Sequence, residues 1–217
     1  MFHYITDKEF LKKMRGLCSD IVNQSVQQIN RDGVLQVEAH LVGSGARNMV
    51  TQNADEPVDL DYNLCILEAY EINIYDGRAI KEYVRKQFNQ VLKTNHWGDC
   101  QDSTSALSTK LQSFVSGNKT RFKIDLGIVW DQGCCCHRLK HHKTGVFDFD
   151  QWNWNEIRHS DGLEHRTYTL KKHHLWNAVR DAYLDKKNLY LSRQDDDHPS
   201  FIVYTEAVNE VYYQYFG

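Results

Sequence analysis

Long apolar runs are missing from this sequence of 217 residues. No strictly apolar run is longer than four residues, and the N-terminus carries no apolar signal segment. A membrane-spanning helix needs about 20 predominantly apolar residues, and a secretory signal needs an apolar core close to the N-terminus. We therefore expect a cytoplasmic protein without a membrane partner.

An excess of positive charge is also missing, because 26 Lys and Arg residues face 29 Asp and Glu residues, which gives a formal net charge of −3. The chain thus has no global basic field that would attract nucleic acid. Six cysteines in a chain of this size do not indicate a disulfide framework. A reduced, cytosolic protein is the simpler interpretation.

Two local clusters leave a metal role open. The run Cys134–Cys136, followed by His137, could bind zinc, but adjacent cysteines point in different directions and the usual ligand spacing of two to four residues is missing. A reduced, solvent-near turn is the alternative. The acidic run Asp195–Asp197 is interpreted as the solvated start of the helix that follows, with metal binding as the alternative.

What the sequence does contain is a pair of aspartates, Asp59 and Asp61, inside the run Val58–Leu64. In a β-strand, side chains at i and i+2 leave the same face, roughly 6.5 Å apart along the strand. Carboxylates this close repel each other unless a cation lies between them, and hard divalent cations prefer oxygen ligands. The pattern indicates a magnesium site for handling phosphates. The alternative is an edge strand with charges on its solvent face.

The segment in front of this pair favours the phosphate interpretation. Residues 36–42 alternate between apolar and polar, as a half-buried strand does, and continue into Gly43 and Ser44. Small residues let backbone N–H groups approach an anion, and Ser44 adds a hydroxyl donor. Arg47 adds a positive charge that can bridge phosphate oxygens. Without the carboxylates, an ordinary turn would be the better interpretation.

A third carboxylate occurs in a similar setting. The segment 121–130 alternates, and Asp125 shares its polar face with Lys123. A carboxylate among β-forming residues is costly to bury unless it is paired or binds a metal. Asp125 is therefore predicted either to complete the metal site or to pair with Lys123 or another nearby cation.

These three segments together resemble the DNA polymerase β-type nucleotidyltransferase superfamily, over roughly residues 34–130. The resemblance implies an α+β fold, with a nucleotidyltransferase core of a mixed or antiparallel sheet flanked by helices and a helical C-terminal part. We predict the α/β core, including a long N-terminal helix, over residues 1–150. A helical region packed on that core is predicted over residues 151–217.

The resemblance implies a metal-dependent transfer of a nucleoside monophosphate from an NTP to an acceptor hydroxyl, with release of pyrophosphate. Asp59, Asp61 and Asp125 would hold two Mg²⁺ ions, for which Mn²⁺ could substitute. Asp125 could also receive the acceptor proton. Gly43 and Ser44 would hold the β and γ phosphates.

Basic residues would complete the nucleotide site. Arg47 is a candidate, and so are Lys171 and Lys172, which are predicted near the start of a helix over residues 169–192. The superfamily often places a basic residue on such a helix. A strand over residues 105–116 and a turn at Gly117 and Asn118 are predicted to form a hairpin with the Asp125 strand. The four basic residues between Ser103 and Ile124 could contact the triphosphate or the acceptor, or simply face solvent.

Capping signals predict where helices begin and end. A capping box in which Thr6 and Glu9 satisfy each other's backbone donors predicts the start of the long N-terminal helix, and Gly33 predicts its end. Asp76 is predicted to cap a second helix, and Pro199 to open the last one.

The acceptor is not determined by any residue. The small size of the chain favours a small molecule, a nucleotide or a protein over a nucleic acid. Two other classes stay open: a catalytically silent nucleotide-binding or regulatory protein, such as a toxin–antitoxin component, and a plain interaction module. The three carboxylates argue against the silent protein, since a retired site has no need to keep mutually repelling charges.

Overall fold

The computed structural model describes residues 1–133, 135–157, 160–195 and 199–217 and consists of two compact units. The sheet unit contains Asp7–Ala46 and Pro57–Ile157, and the helical unit contains Met1–Thr6, Arg47–Glu56 and Arg158–Gly217. The predicted division at residue 150 stays a prediction. Cys134, Asp196 and Asp197, on which two metal alternatives partly rest, lie outside the described residues.

Strands and helices are mixed in the first part of the chain, which then continues with a series of strands and ends in helices. The strands are β1 Phe2–Tyr4, β2 Leu35–Leu41, β3 Thr51–Asn53, β4 Val58–Ala69, β5 Gln101–Asp102, β6 Leu107–Ser108, β7 Phe122–Asp131, β8 Cys136–His142 and β9 Gln151–Glu156. The helices are α1 Lys8–Asp32, α2 Gly43–Ala46, α3 Gly77–Thr94, α4 Leu163–Lys172, α5 Trp176–Ser192 and α6 Ser200–Phe216. No helix in the described part of the chain is long and apolar enough to cross a membrane.

A mixed sheet forms the centre of the sheet unit. Its strand order is β2, β4, β7, β6, β5, with β8 paired to the later part of β7 and β9 paired to β8. β4 and β7 run parallel, and the other pairs among the described strands are antiparallel. The predicted α+β class, with a mixed sheet, flanking helices and a helical C-terminal part, is confirmed.

One face of this sheet is packed and the other carries polar groups. The apolar residues of β4 and β7 alternate with polar ones, and the apolar set is buried. On β7 this set is Phe122, Ile124, Leu126 and Ile128, as the sequence predicts. The ring of Phe10 in α1 lies 6.2 Å from that of Phe122, so α1 covers this face. The carboxylates are thereby left on the opposite face.

The ends of α1 and α3 test the capping predictions. Asp7, and not Thr6, is the N-cap of α1: its carboxylate accepts a 2.9 Å hydrogen bond from the Phe10 backbone N–H. The prediction of Thr6 was therefore wrong by one residue. Gly33 ends α1 with a φ of 74°, and the Asp76 carboxylate caps α3 through the Ala79 N–H. Both of these predictions are confirmed.

The hairpin in front of β7 differs from its prediction. The predicted strand over residues 105–116 contains only β6 and one isolated bridge, between Gln112 and Phe122. The side chain of Phe114 accounts for the break, because its ring packs against Phe10 and Phe122, with centroid distances of 5.9 and 5.2 Å. The segment therefore leaves the sheet after Gln112, where the partly buried ring of Phe114 packs on these two side chains.

The helical unit contains the paired strands β1 and β3 and the helices α4 to α6. Its core includes Leu170, Val179 and Val208, all with no exposed surface. The helix predicted over residues 169–192 is two helices. The chain turns at His174, whose φ is 59°, and the Leu175 N–H donates to the Leu170 carbonyl at 2.9 Å. This turn closes α4, and Leu175 packs against the same core.

Candidate active site

The parallel pairing of β4 and β7 brings the three predicted carboxylates to one place. Asp61 lies opposite Asp125, and Asp59 lies opposite Lys123. Neighbouring strands are about 4.8 Å apart, so these side chains form two adjacent rows on the polar face of the sheet. The structure thus groups the predicted residues, while their role as metal ligands stays a prediction.

Asp61 is the carboxylate that this arrangement perturbs most clearly. Its pKa is raised to about 6, first by burial and then by the negative charges of Asp125 and Asp59. Arg138 and Lys123 lower the pKa in part. Ionisation of Asp61 at neutral pH is therefore energetically unfavourable, and a cation bound nearby would offset this cost.

Gly43 lies directly against Asp61. A Cβ atom at position 43 would lie 2.7 Å from Asp61 Oδ2, and the φ of Gly43 is +64°, so both space and backbone require glycine. The Val42 N–H also donates to the Asp61 carbonyl at 2.8 Å. These contacts place Gly43 and Ser44, which begin α2, next to the carboxylates.

Gly43→Ala is expected to destabilise the protein by about 2–3 kcal/mol, because a left-handed alanine costs about 1–2 kcal/mol and its Cβ would collide with Asp61 Oδ2. Chemical denaturation measures the change. Gly33→Ala is the matched control, since Gly33 has a φ of +74° and no atom near its missing Cβ. Equal losses in the two variants would contradict the contact with Asp61.

Lys123 occupies the space between two of the carboxylates. Its Nζ lies 2.9 Å from Asp125 Oδ2 and 3.6 Å from Asp59 Oδ1. Burial lowers the pKa of Lys123, but the hydrogen bond to Asp125 and the charges of Asp125 and Asp59 outweigh burial and hold it above the usual value. The pairing of Asp125 with Lys123, which the sequence left as one of two possibilities, is present in the structure.

The donor set fits a hard divalent cation by its chemistry. Asp59, Asp61 and Asp125 offer carboxylate oxygens from one face of the sheet, and Asp61 has a raised pKa that an added cation would lower. Within the described residues, however, no three His, Cys, Asp or Glu side chains are arranged so that they could hold a metal ion. The ammonium of Lys123 contacts oxygens of Asp59 and Asp125, which an ion at this place would also use.

A cavity of about 200 Å³ adjoins the carboxylates. The β4 and β7 side of the cavity carries acidic, basic and amide groups, and the segment around β6 contributes serines. The lining residues that the argument uses are Asp61, Asn63, Ser103, Ser105, Ser108, Asp125 and Arg138. The cavity is thus polar on both sides.

The side chain of Arg138 reaches from β8 over β7 to β4 inside this cavity. Its Nη2 donates to Asn63 Oδ1 at 2.7 Å. Its guanidinium passes close to Gly127, where an added Cβ would lie 3.4 Å from it. Burial lowers its pKa, and the charge of Asp61 raises it in part. In the described part of the chain, its buried Nε has no hydrogen-bond partner. Arg138 therefore brings a partly unsatisfied positive group next to Asp61.

Sequence reasoning missed several of these groups. Asn63 continues the alternation of Asp59 and Asp61, so the periodicity could have identified it. Arg138 and the serines gave no comparable signal, since β8 was not predicted and the segment around β6 was expected to be a regular strand. Only the strand pairing brings them to the cavity.

A buried ionic network supports the serine wall of the cavity. His141 is 3% exposed, and its ring nitrogens lie 2.7 Å from Asp102 Oδ2 and 2.8 Å from Asp150 Oδ2. Lys81 lies 2.6 Å from Asp102 and also donates to the Ser103 carbonyl at 2.7 Å. The network therefore fixes the backbone that presents Ser103 to the cavity.

The three predicted basic residues belong to the helical unit. The Arg47 guanidinium lies 4.2 Å from the centroid of the Tyr204 ring, and Lys171 Nζ lies 4.6 Å from that of Trp176. Lys171 and Lys172 lie in the last turn of α4, not near the start of a long helix as predicted. Their contact with a nucleotide stays a prediction.

No protein-family model and no curated protein matches the chain. Solved structures do match. CdnE cyclic dinucleotide synthase from Elizabethkingia meningoseptica, with GTP and Apcpp, aligns with a TM-score of 0.52 and 14% identity, over 92% of this chain and 70% of that chain. CdnC from E. coli MS115-1, with ATP, aligns with a TM-score of 0.58 and 13% identity, over 96% and 66%. The CdnC:HORMA-deltaN complex aligns with a TM-score of 0.55 and 14% identity, over 94% and 60%.

These matches define the class of fold. The chain has the fold of the DNA polymerase β-type nucleotidyltransferase superfamily, which confirms the resemblance predicted from its three acidic and Gly-Ser segments. More particularly, it is similar to the cyclic dinucleotide synthase CdnE and to CdnC, of which it spans about two thirds of the length.

Proposed function

We propose that this protein is a metal-dependent nucleotidyltransferase that transfers a nucleoside monophosphate from an NTP to an acceptor hydroxyl and releases pyrophosphate. The observation that carries the proposal is the parallel register that sets Asp61 opposite Asp125, with Gly43 against Asp61. The nucleotides in the CdnE and CdnC structures, which share the fold, support an NTP as substrate.

Each residue has a distinct task in this proposal. Asp59, Asp61 and Asp125 would hold two Mg²⁺ ions, or Mn²⁺, which when bound would neutralise charge on the attacking and leaving oxygens. Asp125 also receives the proton of the acceptor hydroxyl. Gly43 and Ser44 bind the β and γ phosphates through backbone N–H groups and the Ser44 hydroxyl.

Arg47, Lys171 and Lys172 are proposed to bind the triphosphate through their positive charges. Lys171 already lies against the Trp176 ring, and Arg47 against Tyr204, so both are positioned by aromatic contacts. Positioning and charge neutralisation are the main requirements of phosphoryl transfer, and these residues supply both.

The acceptor is proposed to be a nucleotide in preference to a small molecule or a protein. CdnE is a cyclic dinucleotide synthase, and the cavity beside Asp125 offers polar groups from Asn63, Arg138 and several serines. Such groups suit a polar acceptor that carries many oxygen and nitrogen atoms. A nucleic-acid acceptor is not favoured by the net charge of −3.

Incubation of the protein with each labelled NTP and Mg²⁺ or Mn²⁺, followed by mass spectrometry of the products, tests the function. Release of pyrophosphate together with a nucleotidylated product supports it. If NTP and Mg²⁺ raise the melting temperature but no acceptor yields pyrophosphate, the catalytically silent nucleotide-binding protein is the better description. If neither binds, a plain interaction module is.

Arg138→Met is expected to lower kcat/KM for the acceptor about 10–100-fold, because it removes a charged donor worth about 1.5–3 kcal/mol from the cavity. The KM for the NTP should change much less. Steady-state kinetics with each substrate varied in turn measures both values. Arg85→Met, at an exposed position of α3, is the matched control. A loss confined to the NTP would contradict an acceptor role for Arg138.

A further inference from the structure

Lys123 is placed among the carboxylates by the backbone of the sheet. It pairs directly with Asp59 across β4 and β7, and it shares one face of β7 with Asp125 two residues further on. Its Nζ contacts both, at 3.6 Å and 2.9 Å. The Lys123 side chain is 27% exposed, so solvent screens the ammonium only in part.

The positive groups of this face offset most of its negative charge. Lys123 contacts Asp59 and Asp125 directly, and Arg138 lines the same cavity as Asp61 and Asp125. Two of the three negative charges are therefore balanced by groups of the protein. A free divalent cation meets a weaker attraction here than three bare carboxylates would provide.

We propose that Lys123 is a built-in counter-ion whose ammonium competes with a divalent cation for Asp59 and Asp125. The inference rests on the proposed function, which assigns these carboxylates to metal binding. Lys123 is in this view a positioning residue, since it acts through the carboxylates. The cation then binds tightly only when a triphosphate adds negative charge and compensates for the displaced lysine.

The chemistry of lysine suits such an exchange. Its ammonium is a compact charge on a flexible stem of four carbons, and it can leave its partners without a backbone movement. Its Nζ lies 3.2 and 2.9 Å from the two oxygens of Asp125 and 3.6 Å from Asp59 Oδ1, so it competes with a divalent cation for these oxygens. Metal binding is thereby coupled to nucleotide binding through one side chain.

The direct test is Mn²⁺ binding without nucleotide, measured by isothermal titration calorimetry on the whole chain. Lys123→Met is expected to bind Mn²⁺ at least about tenfold more tightly than the wild type. Lys86→Met, at an exposed position of α3, is the matched control and should bind like the wild type. Lys123→Gln, which keeps a polar side chain without the charge, should show the same gain and guards against poor folding of the Met variant.

Melting temperatures give a second readout that a merely structural lysine would not produce. Without metal, Lys123→Met should melt below the wild type, because the carboxylates of Asp59 and Asp125 then lack their counter-ion. With Mn²⁺, its melting temperature should rise more than that of the wild type. If Lys123 were merely structural, its replacement would lower the melting temperature of the metal-free protein but would not increase the rise that Mn²⁺ produces.

Two negative outcomes are distinguishable. Unchanged or weaker Mn²⁺ binding by both Lys123 variants, while the wild type still binds Mn²⁺ together with ATP, overturns the inference and leaves the proposed function standing. Absence of Mn²⁺ binding in every variant, with and without ATP, overturns the proposed function and the inference together.

Discussion

Asp61→Asn is expected to reduce nucleotidyl transfer about a thousandfold or more, since charge neutralisation by bound metal contributes several kcal/mol to such reactions. Asp61 is the central member of the carboxylate rows, opposite Asp125 and against Gly43. An asparagine keeps the shape but loses one negative charge. Pyrophosphate release measured under single-turnover conditions gives the size of the loss.

The same substitution is expected to stabilise the metal-free protein at neutral pH. The pKa of Asp61 is raised to about 6 in the folded protein, first by burial and then by Asp125 and Asp59. The ionised carboxylate therefore destabilises the fold increasingly as the pH rises from about 4 through about 6. A shift of this size corresponds to at most about 3 kcal/mol, and partial exposure of Asp61 reduces it to about 1–2 kcal/mol.

Urea denaturation at several pH values in the presence of a chelator measures this gain. It should be largest at pH 7–8, small near pH 4 and absent below about pH 3, where the wild-type carboxyl group is protonated in both states. Asp20→Asn, at an exposed position of α1, is the matched control and should change neither activity nor stability by much. A stabilised Asp61→Asn protein that keeps full transfer activity would rule out the catalytic assignment.

His141→Ala is expected to destabilise the protein by about 3–5 kcal/mol, as the loss of one member of a buried ionic network does. Asp102 and Asp150 contact the two ring nitrogens, and one face of the ring stacks on Trp152 at a centroid distance of 4.2 Å. Alanine would leave these buried carboxylates with fewer donors. The free energy of unfolding from chemical denaturation measures the loss.

The neighbouring residue provides the control for this prediction. His142 follows on the same strand but is exposed, so His142→Ala should change stability by no more than about 0.5 kcal/mol. The difference between the variants should also depend on pH. The hydrogen bonds and charges of Lys81 and His141 outweigh burial and hold the pKa of Asp102 below its usual value.

Since the pKa of Asp102 is lowered on folding, its contribution is present above the ordinary carboxyl pKa of about 4 and is lost as the pH falls below it. The cost of His141→Ala should therefore shrink in acid. Equal effects of His141→Ala and His142→Ala at pH 7 would show that the network does not stabilise the fold. Reduced transfer activity in a still folded variant would in addition indicate that the Ser103 backbone needs this support.

Local patterns predicted the elements that matter for the site. The alternation around Asp59, Asp61 and Asp125 indicated two strands with acidic groups on one face, and the structure has both. The helix boundaries at Gly33 and Asp76 were also predictable, because capping depends on residues close in sequence. These successes have a common reason: each feature depends on a few adjacent residues.

Other features depended on contacts between residues that are distant in sequence, so local patterns could not predict them. The break in the predicted strand over residues 105–116 follows from the packing of Phe114 on Phe10. The turn at His174 goes together with the packing of Leu175 into the core of the helical unit. Arg138 became part of the cavity only because β8 pairs with β7, and the sequence analysis did not predict β8.

By itself, the sequence determined which residues carry the acidic groups and on which side of their strands they lie, because the period of a β-strand is local. Tertiary structure alone decided that β4 pairs with β7 in the register that sets Asp61 against Asp125, with Lys123 between Asp59 and Asp125. Strand pairing is non-local, and a slip of one residue would move the side chain of Asp125 to the other face. The carboxylates are thus a property of the sequence, and the site they form is a property of the sheet.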